Sequence, residues 1–166
     1  MREKILERGA LAQRLKELRR ARDNGLKIVF TNGCFDLLHV GHVRYLWEAR
    51  KQGDLLVVAI NDDDSVARLK GPKRPILKRE ERAQVMAGLA CVDYVTWFHE
   101  DTPLALLEEL DPNVLVKGAN YSLDGVVGRE LVESRGGEVK TLRLVEGCST
   151  TNMVEKVLAL QGSRAG

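Results

Sequence analysis

The sequence predicts an α/β fold: a Rossmann-like, doubly wound, five-stranded parallel sheet with helices on both faces. Short apolar runs alternate along the chain with amphipathic stretches, which is typical of a parallel sheet covered by helices. The apolar runs carry few charges, as expected for strands that are buried on both faces. Five such runs are predicted strands: Lys27–Thr31, Leu55–Ile60, Asp93–Phe98, Asn113–Lys117 and Glu138–Arg143.

Helical patterns separate these strands. Leu11, Leu15 and Leu18 recur at helix spacing before Asn24-Gly25, which is a plausible stop signal, so a first helix should precede the sheet. Glycine and proline residues between 62 and 78 instead predict a long loop over Asp62–Lys78. The other predicted helices are Val40–Lys51, Glu80–Leu89, Pro103–Leu110, Val127–Ser134 and Ser149–Leu160.

Length and composition favour one globular domain over residues 1–166, with 1–25 as an N-terminal helical extension and 26–160 as the core. The chain has 166 residues and 44% hydrophobic content, which is enough to bury a core. Lys and Arg number 26 and Asp and Glu 24, giving a net charge of +2. Such a balance lacks the field that drives non-specific nucleic-acid binding, so any anion site must be local and we expect no nucleic-acid partner.

The cysteines and the N-terminus indicate a cytoplasmic protein. Three cysteines, Cys34, Cys91 and Cys148, match neither a disulfide framework nor a CxxC zinc site. The N-terminal stretch is charged throughout, and no apolar run approaches the roughly 20 residues that a bilayer crossing needs. We therefore expect no signal peptide, no membrane span and no membrane partner.

The run TNGCFDLLHVGH places His39 and His42 beside Gly41 just after the first predicted strand. Ligands of open parallel sheets bind beyond the carboxyl ends of the strands, where helices begin. Each histidine alone could be an ordinary residue satisfied by one hydrogen bond. Zinc ligation ranks lower, because no third ligand accompanies the pair and the HExxH spacing is absent. An anion site, in which both imidazoles and a helix N-terminus meet phosphate oxygens, suits phosphate chemistry best.

Two separated motifs together resemble a known family. TNGCFDLLHVGH is similar to the first signature of the HxGH nucleotidyltransferases, and GCSTTNMVEK (147–156) is similar to their second. The resemblance extends through RLKGPKRPI, VDYV, HEDTP, DPNVLVKGANY and GGEV, and covers nearly everything from Lys27 to Lys156. Within that superfamily the combination resembles the heptose 1-phosphate adenylyltransferases. In that family the domain often follows a sugar kinase, whereas this chain resembles the stand-alone form.

The resemblance implies transfer of AMP from ATP to a sugar 1-phosphate, with Mg²⁺, in a homodimer that serves lipopolysaccharide biosynthesis. It implies catalytic roles for His39, His42, Lys70 and Lys73. Residues around the triphosphate or base would be Thr31, Asn32, Gly33, Cys34, Phe35, Gly41, Arg82, Lys117, Gly118, Asn120, Ser149, Thr150 and Thr151. Asn61 and Asp63 would lie near the sugar phosphate. Asp36 stays open between orienting a loop, holding Mg²⁺ indirectly and capping a helix.

Three other functions compete with this interpretation. A cytidylyltransferase acting on glycerol 3-phosphate or a related alcohol phosphate shares both motifs, although the loop here reads VKGANY. A non-catalytic nucleotide-binding module should have lost a catalytic histidine or the STT hydroxyls, and this chain retains them all. A plain NAD-binding domain is disfavoured because no GxGxxG follows any predicted strand.

Overall fold

One five-stranded sheet forms the centre of the molecule in a computed structural model that describes residues 2–23, 25–118, 123–143 and 147–162. All strand pairs are parallel, and the order across the sheet is β3-β2-β1-β4-β5. The strands are β1 (Ile28–Gly33), β2 (Leu55–Asn61), β3 (Tyr94–Phe98), β4 (Val114–Gly118) and β5 (Glu138–Leu142). Each overlaps a predicted strand, with ends that differ by one or two residues.

Helices alternate with the strands along the chain. They are α1 (Arg8–Ala21), α2 (Val40–Arg50), α3 (Asp63–Lys70), α4 (Arg79–Ala87), α5 (Leu104–Leu110), α6 (Arg129–Ser134) and α7 (Thr150–Gly162). Short 3₁₀ turns lie at Arg2–Lys4 and Leu123–Gly125. Among the described residues, no helix is both long and apolar enough to cross a bilayer.

Both faces of the sheet are covered, which confirms the predicted doubly wound fold. Along β2, Leu56, Val58 and Ile60 pack into the core on one face, with side chains from α2 and α4. Val57 and Ala59 point to the other face, where α1, α5 and α6 pack. This alternation follows from the two-residue period of a strand, and it explains why the interior strand β2 is apolar at successive positions.

The predicted loop over Asp62–Lys78 is wrong in its first half, which forms helix α3. The side chain of Asp62 accepts a hydrogen bond from Ser65 N at 2.8 Å and caps the helix. Val66 is buried and anchors the helix to the sheet. Gly71, with φ of 96°, ends it. Only residues 71–78 form the loop, and we call this segment the basic loop.

The N-terminal extension packs as part of the molecule and covers the edge of the sheet at β3. Leu6 N donates to Val95 O at 3.0 Å, beside a parallel bridge between Ile5 and Val95. Leu11 and Leu15 of α1 are buried in the core. An exposed strand edge is open to pairing with another chain, so this covering also limits aggregation.

Side chains close the amino edge of the sheet. The residue before each of β2, β3 and β4 accepts a hydrogen bond from a main-chain amide of the neighbouring strand. Asp54 accepts from Lys27 N at 2.8 Å, Asp93 from Leu56 N at 2.7 Å and Asn113 from Ile28 N at 2.8 Å. Unpaired amides at this edge are thereby satisfied. At the carboxyl edge the strand order reverses between β1 and β4, which is where open parallel sheets are expected to form their ligand crevice.

Removing one of these amino-edge acceptors should cost stability and leave the carboxyl edge unchanged. We expect Asn113→Ala to lower the free energy of unfolding by about 1–3 kcal/mol, because Ile28 N loses its acceptor. Urea unfolding at neutral pH measures this change. The matched control is Gln13→Ala, which removes an exposed amide bonded to Glu17 and should stay within about 0.5 kcal/mol of wild type. Equal losses of unfolding free energy in the two variants would contradict the role of Asn113 in pairing the amide of Ile28.

Candidate active site

The candidate site is built on the turn between β1 and α2. Phe35 has a φ of 44°, which reverses the chain after the strand, and its ring is buried. His39 is the N-cap residue of α2, and its carbonyl accepts hydrogen bonds from His42 N at 3.0 Å and Val43 N at 3.3 Å. The predicted histidine pair therefore flanks the start of the helix, at the carboxyl edge of the sheet.

The two imidazoles form a stack. Their centroids are 3.9 Å apart with an interplanar angle of 22°, and the ring of Phe35 packs edge-on against His42 at 5.3 Å. Gly41 makes this stack possible, because a Cβ there would lie 2.9 Å from two atoms of the His39 ring. Gly33 has a similar packing role, since a Cβ there would lie 3.2 Å from the Phe35 ring. Both glycines thus shape the site directly.

Burial keeps both histidines neutral at physiological pH. It lowers the pKa of His39, and together with the neighbouring His39 it lowers the pKa of His42 to about 4. The Nδ1 atoms of both rings are buried and have no hydrogen-bond partner among the described residues. A buried nitrogen without a hydrogen bond costs free energy. A polar ligand that bonded to it would remove that cost.

Lys117, at the end of β4, reaches across to the end of β1. Its Nζ donates to Oδ1 of Asn32 and to the main-chain oxygen of the same residue, the latter at 3.5 Å. Burial lowers the pKa of Lys117 to about 8, so the ammonium form still prevails at neutral pH. This contact fixes the carboxyl end of β1 against β4 and places a cation at that end of the sheet.

The Cys34 thiol lies among the cations of the site. Burial raises the pKa of this thiol, and the nearby charges of Lys70, Arg82 and Lys117 act in the opposite direction. Lys70 is the last residue of α3 and is exposed. Cationic residues from the ends of α3 and β4 therefore approach one point of the β1–α2 turn, as an anion site requires.

The two sequence motifs meet in space. Thr150 Oγ1 donates to Leu37 O at 3.2 Å, which joins the start of α7 to the β1–α2 turn. Cys148 Cβ lies 3.1 Å from the position that a Cβ on Gly41 would take. Ser149 Oγ accepts from Asn152 N at 3.0 Å and caps α7, and Thr151 is exposed. The amino end of α7 thus lies beside the imidazole stack.

Asp36 and Arg82 connect the basic loop to the turn. Asp36 Oδ1 accepts from Ile76 N at 2.8 Å and from Leu77 N at 3.1 Å, and its Oδ2 accepts from Arg74 at 2.6 Å. Arg82 donates to Leu77 O at 3.1 Å, to Cys34 O at 2.7 Å and to Asp63 Oδ1 at 2.7 Å. These contacts are not predictable from the sequence, because nothing near Asp36 or Arg82 marks partners that lie between 5 and 48 residues away.

Two of the predicted ligand residues have fully buried side chains. Arg82 donates hydrogen bonds to three protein oxygens, and these bonds hold the turn and the basic loop together. Thr31 is also fully buried, and its hydroxyl is 2.7 Å from that of Tyr45, which in turn donates to Val116 O at 3.0 Å. Thr31 supports the β1 end from inside the core.

The remaining predicted residues lie around this centre. Asn61 is buried at the end of β2, and its amide donates to Ser65 Oγ at 3.0 Å. Asp63 begins α3 and pairs with Arg82. Lys73 is exposed on the basic loop, and Gly118 ends β4. Asn120 lies outside the described residues.

The donor set fits a metal that is carried by a nucleotide rather than held in a protein cage. Within the described ranges, no three His, Cys, Asp or Glu side chains come together as a metal-binding group. Asp36, on the β1–α2 turn, already has both carboxylate oxygens engaged by protein donors. Mg²⁺ commonly binds through substrate phosphates and water with few protein ligands.

The lowered pKa of His42 makes the stability of the unliganded protein depend on pH. The unfolded chain binds a proton near pH 6.5 and the folded chain only near pH 4, so stability falls as pH drops between these values. We expect a loss of up to about 3 kcal/mol from this group. In urea unfolding at several pH values, His42→Gln should remove most of that loss. The exposed His99 gives the control His99→Gln, which should keep the wild-type slope. If His42→Gln kept the wild-type pH dependence of the unfolding free energy, that dependence could not be assigned to His42.

Comparison with known proteins identifies the family. Residues 30–156 match the cytidylyltransferase-like family. The chain is 62% identical over 138 residues to the bifunctional protein HldE of Geobacter sulfurreducens, covering 83% of this chain and 28% of that protein. It is 58% identical over 158 residues to HldE of Ectopseudomonas mendocina, covering 94% and 33% respectively. The chain thus spans about a third or less of these relatives.

A solved structure agrees with the sequence comparison. The crystal structure of the lipopolysaccharide core biosynthesis protein from Thermoplasma volcanium matches with a TM-score of 0.60 and 33% identity. The match covers 73% of this chain and 98% of that one. The matched family region includes the imidazole stack, the basic loop, Lys117 and the start of α7. The chain belongs to the cytidylyltransferase-like family and is a nucleotidyltransferase.

Proposed function

We propose that this chain transfers AMP from ATP to a heptose 1-phosphate, giving ADP-heptose and pyrophosphate for lipopolysaccharide core biosynthesis. The observation that carries the proposal is the meeting of the two motifs, which puts the imidazole stack, Lys117 and the start of α7 at one crevice. The similarity to HldE proteins and to a lipopolysaccharide core biosynthesis protein supports the heptose substrate.

The reaction is a single displacement at phosphorus. An oxygen of the sugar phosphate attacks the α-phosphorus of ATP and forms a new P–O bond. The bond from that phosphorus to the oxygen bridging the α- and β-phosphates breaks, and pyrophosphate leaves with the electron pair. Catalysis of such a step is mostly positioning and stabilisation of charge on the equatorial oxygens. Mg²⁺, bound to the triphosphate, would neutralise part of its charge.

The residues of the crevice supply this stabilisation. His39 and His42 are unpaired at Nδ1, and in our assignment their ring N–H groups donate to phosphate oxygens when the nucleotide binds. Binding of an anion also favours the protonated imidazole, which opposes the effect of burial on its pKa. Lys117, Lys70 and Lys73 add positive charge, and the amino end of α7 offers main-chain amides.

The substrate assignment is tested by pyrophosphate release from ATP, CTP, GTP and UTP with a panel of sugar and alcohol phosphates. We expect ATP with heptose 1-phosphate to give a kcat/KM on the order of 10²-fold or more above glycerol 3-phosphate, with hexose 1-phosphates between them. A site built to bond sugar hydroxyls rejects analogues that lack them, because its polar groups are then left unpaired. Preference for CTP with glycerol 3-phosphate would replace the heptose assignment and keep the nucleotidyltransferase mechanism.

The histidines should be essential for turnover. We expect His39→Ala and His42→Ala each to lower kcat by about 10²–10³, the loss typical of one preorganised donor to a developing negative charge. The third histidine provides the control, because His99 is exposed at the end of β3 and His99→Ala should keep wild-type turnover. Circular dichroism checks that all three variants fold. Near wild-type kcat in either stack variant would show that the imidazoles serve packing alone.

Lys117 should cause the kcat/KM for ATP to fall on the alkaline side of its pH profile. As pH rises through about 8 its ammonium group loses the proton, so the attraction for the triphosphate and the kcat/KM for ATP should both fall. Lys117→Met keeps the apolar stem and removes the charge. That variant should show a raised KM for ATP at neutral pH and a flatter basic limb. A basic limb that is identical in the variant would assign the titration to another group.

A further inference from the structure

The main chain of one residue, Leu77, joins the basic loop to the β1–α2 turn. The amide of Leu77 donates to Asp36 Oδ1 at 3.1 Å, and the carbonyl of the same residue accepts from Arg82 Nε at 3.1 Å. Asp36 belongs to the turn, and Arg82 also binds the turn through Cys34 O at 2.7 Å. We call Asp36, Arg82 and the main-chain N–H and C=O of Leu77 the Leu77 clamp.

The Leu77 clamp is a buried and fully paired arrangement. Asp36 is 7% exposed and Arg82 is 0% exposed. The second oxygen of Asp36 accepts from Arg74 at 2.6 Å, while Arg82 also pairs with Asp63 at 2.7 Å. Buried charges are tolerated only when paired and hydrogen-bonded, so each clamp residue fixes the position of its partners.

The clamp acts on the segment that carries the cationic residues of the site. Lys70 ends α3 immediately before the basic loop, Lys73 lies within it, and Arg74 is the ionic partner of Asp36. On the other side of the clamp, the β1–α2 turn leads directly into the imidazole stack. The clamp therefore sets the distance between the lysines and the histidines.

We propose that Asp36 is a positioning residue, which holds the basic loop so that Lys70 and Lys73 face the same phosphate groups as His39 and His42. This role rests on the proposed function, because it concerns the same phosphate site. Capping of α2 does not account for Asp36, since its oxygens bind amides of a different segment. A direct metal ligand is also disfavoured, because three protein donors already occupy the carboxylate.

The test compares Asp36→Asn with a matched carboxylate at the opposite edge of the sheet. Asp93 accepts from Leu56 N at 2.7 Å and pairs with Arg50 at 2.9 Å, so Asp93→Asn removes a similar set of contacts far from the site. In Asp36→Asn the new amide turns N–H donors toward the Arg74 guanidinium and removes the charge that it paired with. Amide hydrogen exchange at Ile76 and Leu77 is measured without substrate, and kcat and KM are measured with ATP and heptose 1-phosphate.

We expect exchange at Ile76 and Leu77 to be about tenfold faster or more in Asp36→Asn than in wild type, after correction for global stability. The kcat/KM should fall about 10²-fold, with both kcat and KM affected, because a misplaced loop loses near-attack geometry. Asp93→Asn should lose stability while it keeps wild-type kcat, KM and exchange at these two amides. Unchanged exchange in Asp36→Asn, or faster exchange with unchanged kinetics, would overturn the proposal.

A second variant covers failure of Asp36→Asn to fold. Arg74→Ala removes the ionic partner of Asp36 and leaves the two amide bonds, so it should give the same changes in exchange and kinetics to a smaller degree. Wild-type values in Arg74→Ala, with Asp36→Asn unfolded, would reduce Asp36 to a structural residue. The exchange readout needs no substrate, so failure of the clamp is distinguishable from failure of the heptose assignment. Should wild type prefer another substrate pair, that pair replaces ATP and heptose 1-phosphate in the kinetics.

Discussion

The irregular turn between β1 and α2 is the constraint on which the site depends, because its main-chain oxygens lie where no neighbouring strand can pair with them. Remote parts of the chain supply the missing donors. Arg82 of α4 donates to Cys34 O, and Thr150 of α7 donates to Leu37 O. Buried main-chain polar groups must find such partners. As a result, segments distant in the sequence converge on the turn, and their functional side chains arrive with them.

Burial gives this site an unusual electrostatic state before any ligand is present. The stacked imidazoles can lie 3.9 Å apart because burial favours their neutral forms, whereas two charged rings would repel at that distance. The positive charge of the unliganded crevice therefore comes from lysine rather than histidine. A triphosphate would change that balance, since its negative charge favours imidazolium. In the proposed mechanism the histidines respond to the ligand, while Lys117 is charged at neutral pH and is held by Asn32.

Local patterns in the sequence were sufficient for the fold and for the location of the two motifs at the starts of α2 and α7. Strands buried on both faces leave apolar runs, and the HVGH and STT motifs each mark the start of a helix. Local sequence patterns did not predict features that depend on contacts between distant parts of the chain. Helix α3 was missed because glycine and proline beyond residue 70 obscured the cap at Asp62. The burial of Arg82 was missed because its partners, Cys34 O and Asp63, come together only in the folded chain.

The two edges of the sheet divide stability from function. At the amino edge, Asp54, Asp93 and Asn113 satisfy main-chain amides, and Asp93 also pairs with Arg50 at the carboxyl end of α2. At the carboxyl edge the acceptors and donors belong to segments that also carry cations or motif hydroxyls, as Asp36 and Thr150 do. Loss of a hydrogen bond at the amino edge lowers the free energy of unfolding and leaves the carboxyl edge unchanged. If the proposed site is correct, loss of a bond at the carboxyl edge would also move a group of the site, so stability and catalysis would be coupled there and separate at the amino edge.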